Sequence, residues 1–370
     1  MGEWKKYKLK DVCTILGDGL HGTPIYDDKG EFFFINGNNL KDGRISIKND
    51  TKRVPYSEAN KYKKPLNNRT ILVSINGTIG NVAKYRDEKC ILGKSACFFN
   101  VKENVDLNFI YYVVANQQFK NTITQLATGT TIKNVSLETM RNYTFRIPPL
   151  SIQKQIGKIL SSLDDKIELN RRINDNLEQQ AQALFNEMFP HITEGENMIG
   201  DLIMPKRGKG LLSKNAIKGD IPVVAGGIEP ATYHNQANTT APVLTIAASG
   251  ANAGYINLWH IPVWASDSSY IDDSITPNVY FWYIMLKKRQ QEIFDAQVGS
   301  AQPHIYPKHI AELPMNVVFV EKIAEYNEIV TPIFEKKGQL FLESKRLTSL
   351  RDTLLPKLMS GELKINEISN

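Results

Sequence analysis

From Ser151 to Phe189 the chain alternates apolar and polar residues with the period of a helix buried along one side. Ile156, Leu163, Leu177 and Leu184 share one heptad seam, flanked by Ile159, Leu160, Ile167, Ile173, Ala181 and Met188. The stretch has no proline and no glycine after Gly157, and it is rich in the residues that cost a helix least. Pro148 and Pro149 bar helix on the near side, Ser151 is placed to cap the first turn, and Pro190 closes the far end. At about 1.5 Å of rise per residue this predicts a rod about 55 Å long, the kind that holds two things apart. Asn170 interrupts the seam. It either faces a partner helix and fixes register at some cost in stability, or marks a slip of the frame and is solvated.

A second such stretch runs from Glu321 to about Leu358, with Tyr326, Ile333, Leu340, Leu347 and Leu354 on its seam. Pro332 and Gly338 lie inside it, and the proline predicts a kink or local break. Pairing the two helices with each other would bury both seams. Each follows its own globular part, so the symmetric pairing is antiparallel.

That expectation rests on an internal repeat. A shift of 170 residues (299 − 129) lays Leu126–Met140 on Ala296–Ile310, with Gly129 on Gly299, Val135 on Ile305 and Met140 on Ile310. The same shift carries Ile159 to Ile329, Leu163 to Ile333, Leu177 to Leu347, Leu184 to Leu354 and Phe185 to Leu355. Nearer the start the register slides, and Ile71–Val82 matches Val243–Ile256 with Gly77 against Gly250. Within a copy, short runs such as Glu31–Asn36, Arg69–Asn76 and Lys94–Val101 read as strands broken by Gly, Asn and Asp. The second copy repeats them in IPVVAGG, APVLTIAASG and YINLWHIPVW. One helix per copy is expected, around Asp106–Gln118 and Asn278–Phe294. The fold class is therefore α+β: two globular domains in a pseudo-twofold repeat, joined by two long antiparallel helices forming a coiled coil. The divisions fall at 1–150, 151–189, 190–320 and 321–370.

Charge separates the copies. Residues 1–150 hold 23 Lys and Arg against 14 Asp and Glu (23 − 14 = +9), whereas residues 196–320 hold 9 against 10 (9 − 10 = −1). The first part suits a polyanion; the second gives no such hint. No apolar run approaches the roughly 18 residues of a membrane span, and residues 1–12 lack the apolar core of a signal peptide. Cys13, Cys90 and Cys97 have neither metal-ligand nor CxxC spacing, which points to a reduced, cytoplasmic protein.

Catalytic motifs are missing. There is no HExxH and no GxxxxGK[ST], and NGTIGN (Asn76–Asn81) is not a dinucleotide-binding glycine loop. An amino-methyltransferase needs a polar residue before its paired prolines and an aromatic after them, to hold and stack a flipped base. Ile147-Pro-Pro-Leu150 has aliphatic residues in both places. Asp164 and Asp165 are expected on a solvated helix face.

Loops rich in Gly, Ser, Thr, Asn and Lys remain as candidates for phosphate and base-edge contact. In the first copy they offer His21, Thr23, Asn38, Asn76, Thr78, Lys94, Thr130, Thr131, Lys133 and Asn134. In the second they offer Lys206, Arg207, Lys209, Ser249, Asn252, Ser268, Ser300, Gln302 and His304. Hairpin turns have the same composition, so both readings stay open loop by loop. Recurrence at matching places favours function for the loops led by Gly129 and Gly299. Lys206, Arg207 and Lys209 are the densest cationic group of the second copy and the candidate phosphate clamp there, against a merely solvated turn.

The duplicated layout, the PPLSIQKQIGKILSSLDDKIELN…INDNLEQQAQALF helix and the closing LRDTLLPKLMSGEL together closely resemble the DNA-specificity (S) subunits of type I restriction–modification enzymes. The early HGTP and the paired GTTIKN and GSAQPH loops are also similar to theirs. The resemblance implies two target recognition domains, each reading one half of a two-part double-stranded DNA sequence. It implies helices that set the gap between half-sites and dock two methyltransferase (M) subunits through seam residues such as Ile156, Leu163, Asn170, Leu177, Leu184, Ile333, Leu340, Leu347 and Leu354. Restriction/translocase (R) subunits would join through that complex. S-adenosylmethionine, ATP and Mg²⁺ would sit on partner chains, with no cofactor or metal in this one. The competing readings are a self-contained methyltransferase or nuclease and a coiled-coil scaffold or adaptor that never touches DNA.

Overall fold

The computed structural model describes residues 3–129, 131–299 and 302–364. The chain divides into two compact units, Met1–Lys166 with Arg346–Asn370, and Ile167–Lys345.

In the first unit the central sheet has the order Cys13–Asp18, Ala96–Val101, Thr70–Ser74, Val82–Lys84, antiparallel throughout. Side chains alternate across it as a strand's period of two requires. Ile71, Val73, Cys97 and Phe99 pack with Phe109, Ile110, Phe119 and Ile123 of the helices Leu107–Ala115 and Gln117–Gln125. Leu72, Ala96 and Phe98 face the other way, against Ile35, Leu40 and Leu92. A smaller sheet orders Arg53–Val54, Phe32–Ile35 and Cys90–Leu92, the last two strands parallel. Lys5–Lys8 pairs with Thr144–Ile147.

The second unit repeats this plan. Its central sheet runs Lys206–Arg207, Ser268–Ile271, Val243–Ala247, Ile256–Trp259. A three-stranded sheet orders Thr232–His234, Ile221–Val224 and Trp264–Ala265, again with one parallel pair, and Asn197–Met198 pairs with Pro314–Met315. The repeat read from the sequence is thus a repeat of sheet order and strand direction.

Each copy has more helix than the one segment expected. Asn116 ends the first helix and caps the next, its side chain accepting from the Gln118 N–H at 2.9 Å. In the second unit Val279–Lys288 gives way to Gln290–Asp295 at the buried Arg289, whose guanidinium bonds Glu292 and the Pro314 carbonyl. Short helices Leu137–Asn142 and Pro307–Ala311 precede the final strand of each copy.

Two long helices, Leu150–Met188 and Val320–Ser360, contribute to both units. The first begins one residue before Ser151, which lies inside the helix rather than capping it; the Pro149 carbonyl accepts from Ile152 and Gln153 instead. In the first unit Ile156 and Leu160 pack with Leu354, Leu355, Leu358, Met359 and Leu363 into the main core. Arg351 bonds Asp164 at 2.7 Å. In the second unit the partners run in opposite chain order: Asn170 with Glu343, Glu178 with Lys337, and the Ala181 carbonyl with the Tyr326 hydroxyl. The helices are therefore antiparallel there.

The expected break at Pro332 is absent, and the helix runs through it. Tyr326, Val330, Phe334 and Leu340 are buried on either side, and this apolar face outweighs the lost backbone bond. Pro332 and Glu328 are exposed, so the carbonyl that the proline cannot pair with is open to water. Gly338 is a contact rather than an interruption. A Cβ there would come within 2.9 Å of the His260 ring, so glycine lets the helix lie against this histidine.

Candidate nucleic-acid interface

Five loops of the first unit are hydrogen-bonded to one another at one end of its sheets. Leu20 N–H donates to the Leu92 carbonyl at 2.7 Å, bringing the His21 loop beside Gly93 and Lys94. Gly37 N–H donates to Ser95 Oγ at 2.8 Å, and Ser95 Oγ to Asn36 Oδ1 at 2.9 Å. Ile75 N–H donates to the Ser95 carbonyl at 2.9 Å. The loop after Gly129 closes on itself through reciprocal Thr128 and Asn134 bonds, then joins the strand end through Gly77 N–H to the Lys133 carbonyl and Val135 N–H to the Ile75 carbonyl. His21, Thr23, Asn38, Thr78, Lys94, Thr131, Lys133 and Asn134 are exposed on this platform, and Asn76 is half-buried. His21 is held by Asp18 at 2.6 Å. Thr130 lies outside the described residues.

The second unit rebuilds the central part of this platform. Val298 and His304 exchange backbone bonds, Gly250 N–H donates to the Pro303 carbonyl at 3.0 Å, and Ile305 N–H to the Ala248 carbonyl at 2.9 Å. Gly129 and Gly299 both hold positive φ, at 101° and 95°. A Cβ at either would strike the carbonyl of Ile132 or Gln302, at 2.4 and 2.7 Å, so the turn admits only glycine. Gln302 is exposed, while Asn252 and His304 are half-buried; Ser300 lies outside the described residues.

One expectation for the second unit changes. Ser268 is wholly buried, its hydroxyl on the Val224 carbonyl at 3.2 Å, because the strand it occupies turns that side chain into the sheet. It belongs to the core. Lys206, Arg207 and Lys209 are all exposed, but the first two take different partners. Lys206 reaches Ser274 at 3.0 Å, while Arg207 pairs with Asp267 at 2.6 Å, its charge opposed by a carboxylate that also holds the Ser249 hydroxyl. Neighbours on a strand point to opposite faces, which the run of basic letters conceals. Asp267 and the exposed Tyr306, stacked on His304 with ring centroids 5.9 Å apart, were not among the sequence candidates.

Along the helices, Ile156, Leu340 and Asn170 are buried, and Leu163, Leu177, Leu184, Ile333, Leu347 and Leu354 are half-buried. Asn170 is not solvated: its amide donates to Glu343 at 2.7 Å and to Ser344 at 3.3 Å. Asp164, expected on a solvated face, accepts the Tyr112 hydroxyl at 2.5 Å and the Arg351 guanidinium at 2.7 Å. Among the described residues no cluster of three or more His, Cys, Asp or Glu could hold a metal, and no helix is long and apolar enough to cross a membrane.

A duplicated sheet module carrying a glycine-led polar loop platform, followed in each copy by a long helix, defines a class of duplicated α+β proteins. Residues 1–179 match the model of the type I restriction modification DNA specificity domain. A chain described as a type I specificity subunit from Mycoplasma pneumoniae is 28% identical, over 96% of each chain. The specificity subunit of a type I restriction enzyme from Methanocaldococcus jannaschii is 22% identical, over 99% of this chain and 95% of that one. The crystal structure of a type I restriction–modification S subunit from Mycoplasma genitalium superposes with a TM-score of 0.57 at 25% identity, covering 97% of this chain and 96% of that one. Over nearly its whole length the chain is thus similar to type I restriction–modification specificity subunits, and its first half matches their DNA specificity domain.

Proposed function

We propose that this chain is the non-catalytic, DNA-reading subunit of a type I restriction–modification complex. Each module reads one half of a two-part duplex target through its loop platform, and the paired helices set the spacing and dock two methyltransferase subunits. Restriction/translocase subunits join through that assembly. Adenine methylation and ATP-driven cleavage, with S-adenosylmethionine, ATP and Mg²⁺, belong to the partner chains. The observation that carries this reading is the recurrence of one loop construction in both units: a positive-φ glycine opening a closed turn bonded to the same strand end. Around it the side chains differ, Lys133 and Asn134 in one unit against Gln302 and His304 in the other, as two unlike half-sites require. Lysines at the rim would supply phosphate affinity that falls with salt, and the amides and hydroxyls base discrimination.

The test is the methylome of the host with and without this gene, where a two-part adenine-methylated motif should vanish on deletion. On duplexes carrying that motif, Lys133→Ala should weaken binding across sequences and lower the salt slope by about one. An unchanged methylome, or binding insensitive to salt with partners present, favours the scaffold reading instead.

A further inference from the structure

We propose that a polar lock in each unit fixes how its recognition module is turned on the long helices, and that the six lock residues are positioning residues for half-site reading. The inference deepens the function proposed above and rests on it. In the first unit Tyr112, on the module's own helix, donates to Asp164 of the first long helix, which also holds Arg351 of the second. In the second unit Tyr283 donates at 2.7 Å to Glu178 of the first long helix, and Lys337 of the second pairs with the same carboxylate. Each lock ties three elements with one carboxylate.

The two locks are built from different parts. Aspartate and arginine serve one, glutamate and lysine the other. The repeat register places Trp282, not Tyr283, opposite Tyr112, so the tyrosine has moved by one position while the contact persists. A contact rebuilt from non-equivalent residues does more than fill space. Each lock also has a second cation nearby: Lys84, bonded to Asn108 at 2.6 Å over the Tyr111 ring, and Lys287, bonded to the Ile256 carbonyl at 3.2 Å over the Tyr255 ring.

The physical role follows from direction. Leucine and isoleucine seams tolerate small slides and rotations, because dispersion and burial have no fixed angle. A hydroxyl donated to a half-buried carboxylate does have one. Buried ion pairs add little net stability but can select one geometry among several of similar energy. A module free to turn on its helices would accept half-sites displaced along the duplex, and a keyed module rejects them.

The experiment uses the full-length chain with its partner subunits. Binding is measured on duplexes carrying the methylome motif, with the native spacer and with spacers one base pair longer or shorter. The wild type should reject the altered spacers. Tyr112→Phe and Tyr283→Phe should each cut that discrimination about tenfold while binding to the native spacer changes little. Asp164→Asn, which keeps the shape, should act in the same direction. Leu160→Ala, a destabilising change outside the lock, should lower the melting midpoint yet leave the spacer ratio alone. Unchanged ratios in both tyrosine variants and in their double overturn the lock, as does an equal loss in Leu160→Ala. A wild type that discriminates no spacer overturns the functional reading itself.

Discussion

Replacing Asn170 with leucine should stabilise the helical pair, although it deletes two hydrogen bonds. The residue is wholly buried, and its Oδ1 has no partner among the described residues. An unsatisfied buried carbonyl costs about 1–3 kcal/mol, and a leucine side chain gains about 1.5–3 kcal/mol on burial. Against this stands the bond from Nδ2 to Glu343, worth about 1.5–3 kcal/mol with a charged acceptor. The weaker bond to Ser344 adds about 0.5–1.5 kcal/mol on the same side, so the balance favours leucine by about 1 kcal/mol. Aspartate at the same place should do the reverse. It would set a second carboxylate where the amide now lies 2.7 Å from Glu343, costing about 3–5 kcal/mol. Urea unfolding followed by tryptophan fluorescence reads this directly, since Trp259, Trp264 and Trp282 all lie in the same unit as Asn170. A leucine variant less stable than wild type by more than about 1 kcal/mol would refute the argument, because the amide would then be a net stabiliser.

Three further outcomes are expected. Phe185→Ala should cost the second unit about 3–5 kcal/mol, since the ring is wholly buried against Phe189, Phe281 and Tyr326, and an unmoved urea midpoint would contradict that packing. Acid should weaken the same unit. Burial, with Lys337 beside it, lowers the His260 pKa from 6.5 to about 4, so the unfolded chain takes up a proton that the fold resists. That removes up to roughly 3 kcal/mol as pH falls from 6.5 to 4. Burial alone would raise the Glu178 carboxyl, but Lys337 and Tyr283 hold it below 4.5, and its contribution is lost further into acid. A urea midpoint flat between pH 7 and 4 would count against the His260 contribution. Gly338→Ala should gain about 1 kcal/mol in helix propensity yet lose about 1–2 kcal/mol net through its clash with His260, and a more thermostable variant would show that the ring moves freely.

The helices and the repeat were legible because each rests on local periodicity: a seam every three or four residues, and glycines needed at two equivalent turns. Strand cores such as Thr70–Ser74 and Ala96–Val101 were legible as short apolar runs bounded by Gly, Asn and Asp. Pro332 misled because propensity speaks for one residue, whereas burial of Tyr326, Val330 and Phe334 speaks for several turns. Asp164 misled for the opposite reason. Its partners, Tyr112 and Arg351, lie far away in sequence, and no local pattern announces a contact of that span. Ser268 and Arg207 show the same limit in the loops. A polar letter in a polar run does not say which face of a strand it takes or which carboxylate opposes it.

One detail of connectivity bears on how the protein is made. Ile167–Lys345 is a single stretch, whereas the first unit needs Leu354, Leu355, Leu358 and Met359 to finish the core begun by Leu9 and Val12. A ribosome working from the amino end therefore releases the first module with an open wall, to be closed only after the whole second module has emerged. Translation that stops short of the last helical turns would leave one module intact and the other, though made first, without its seal.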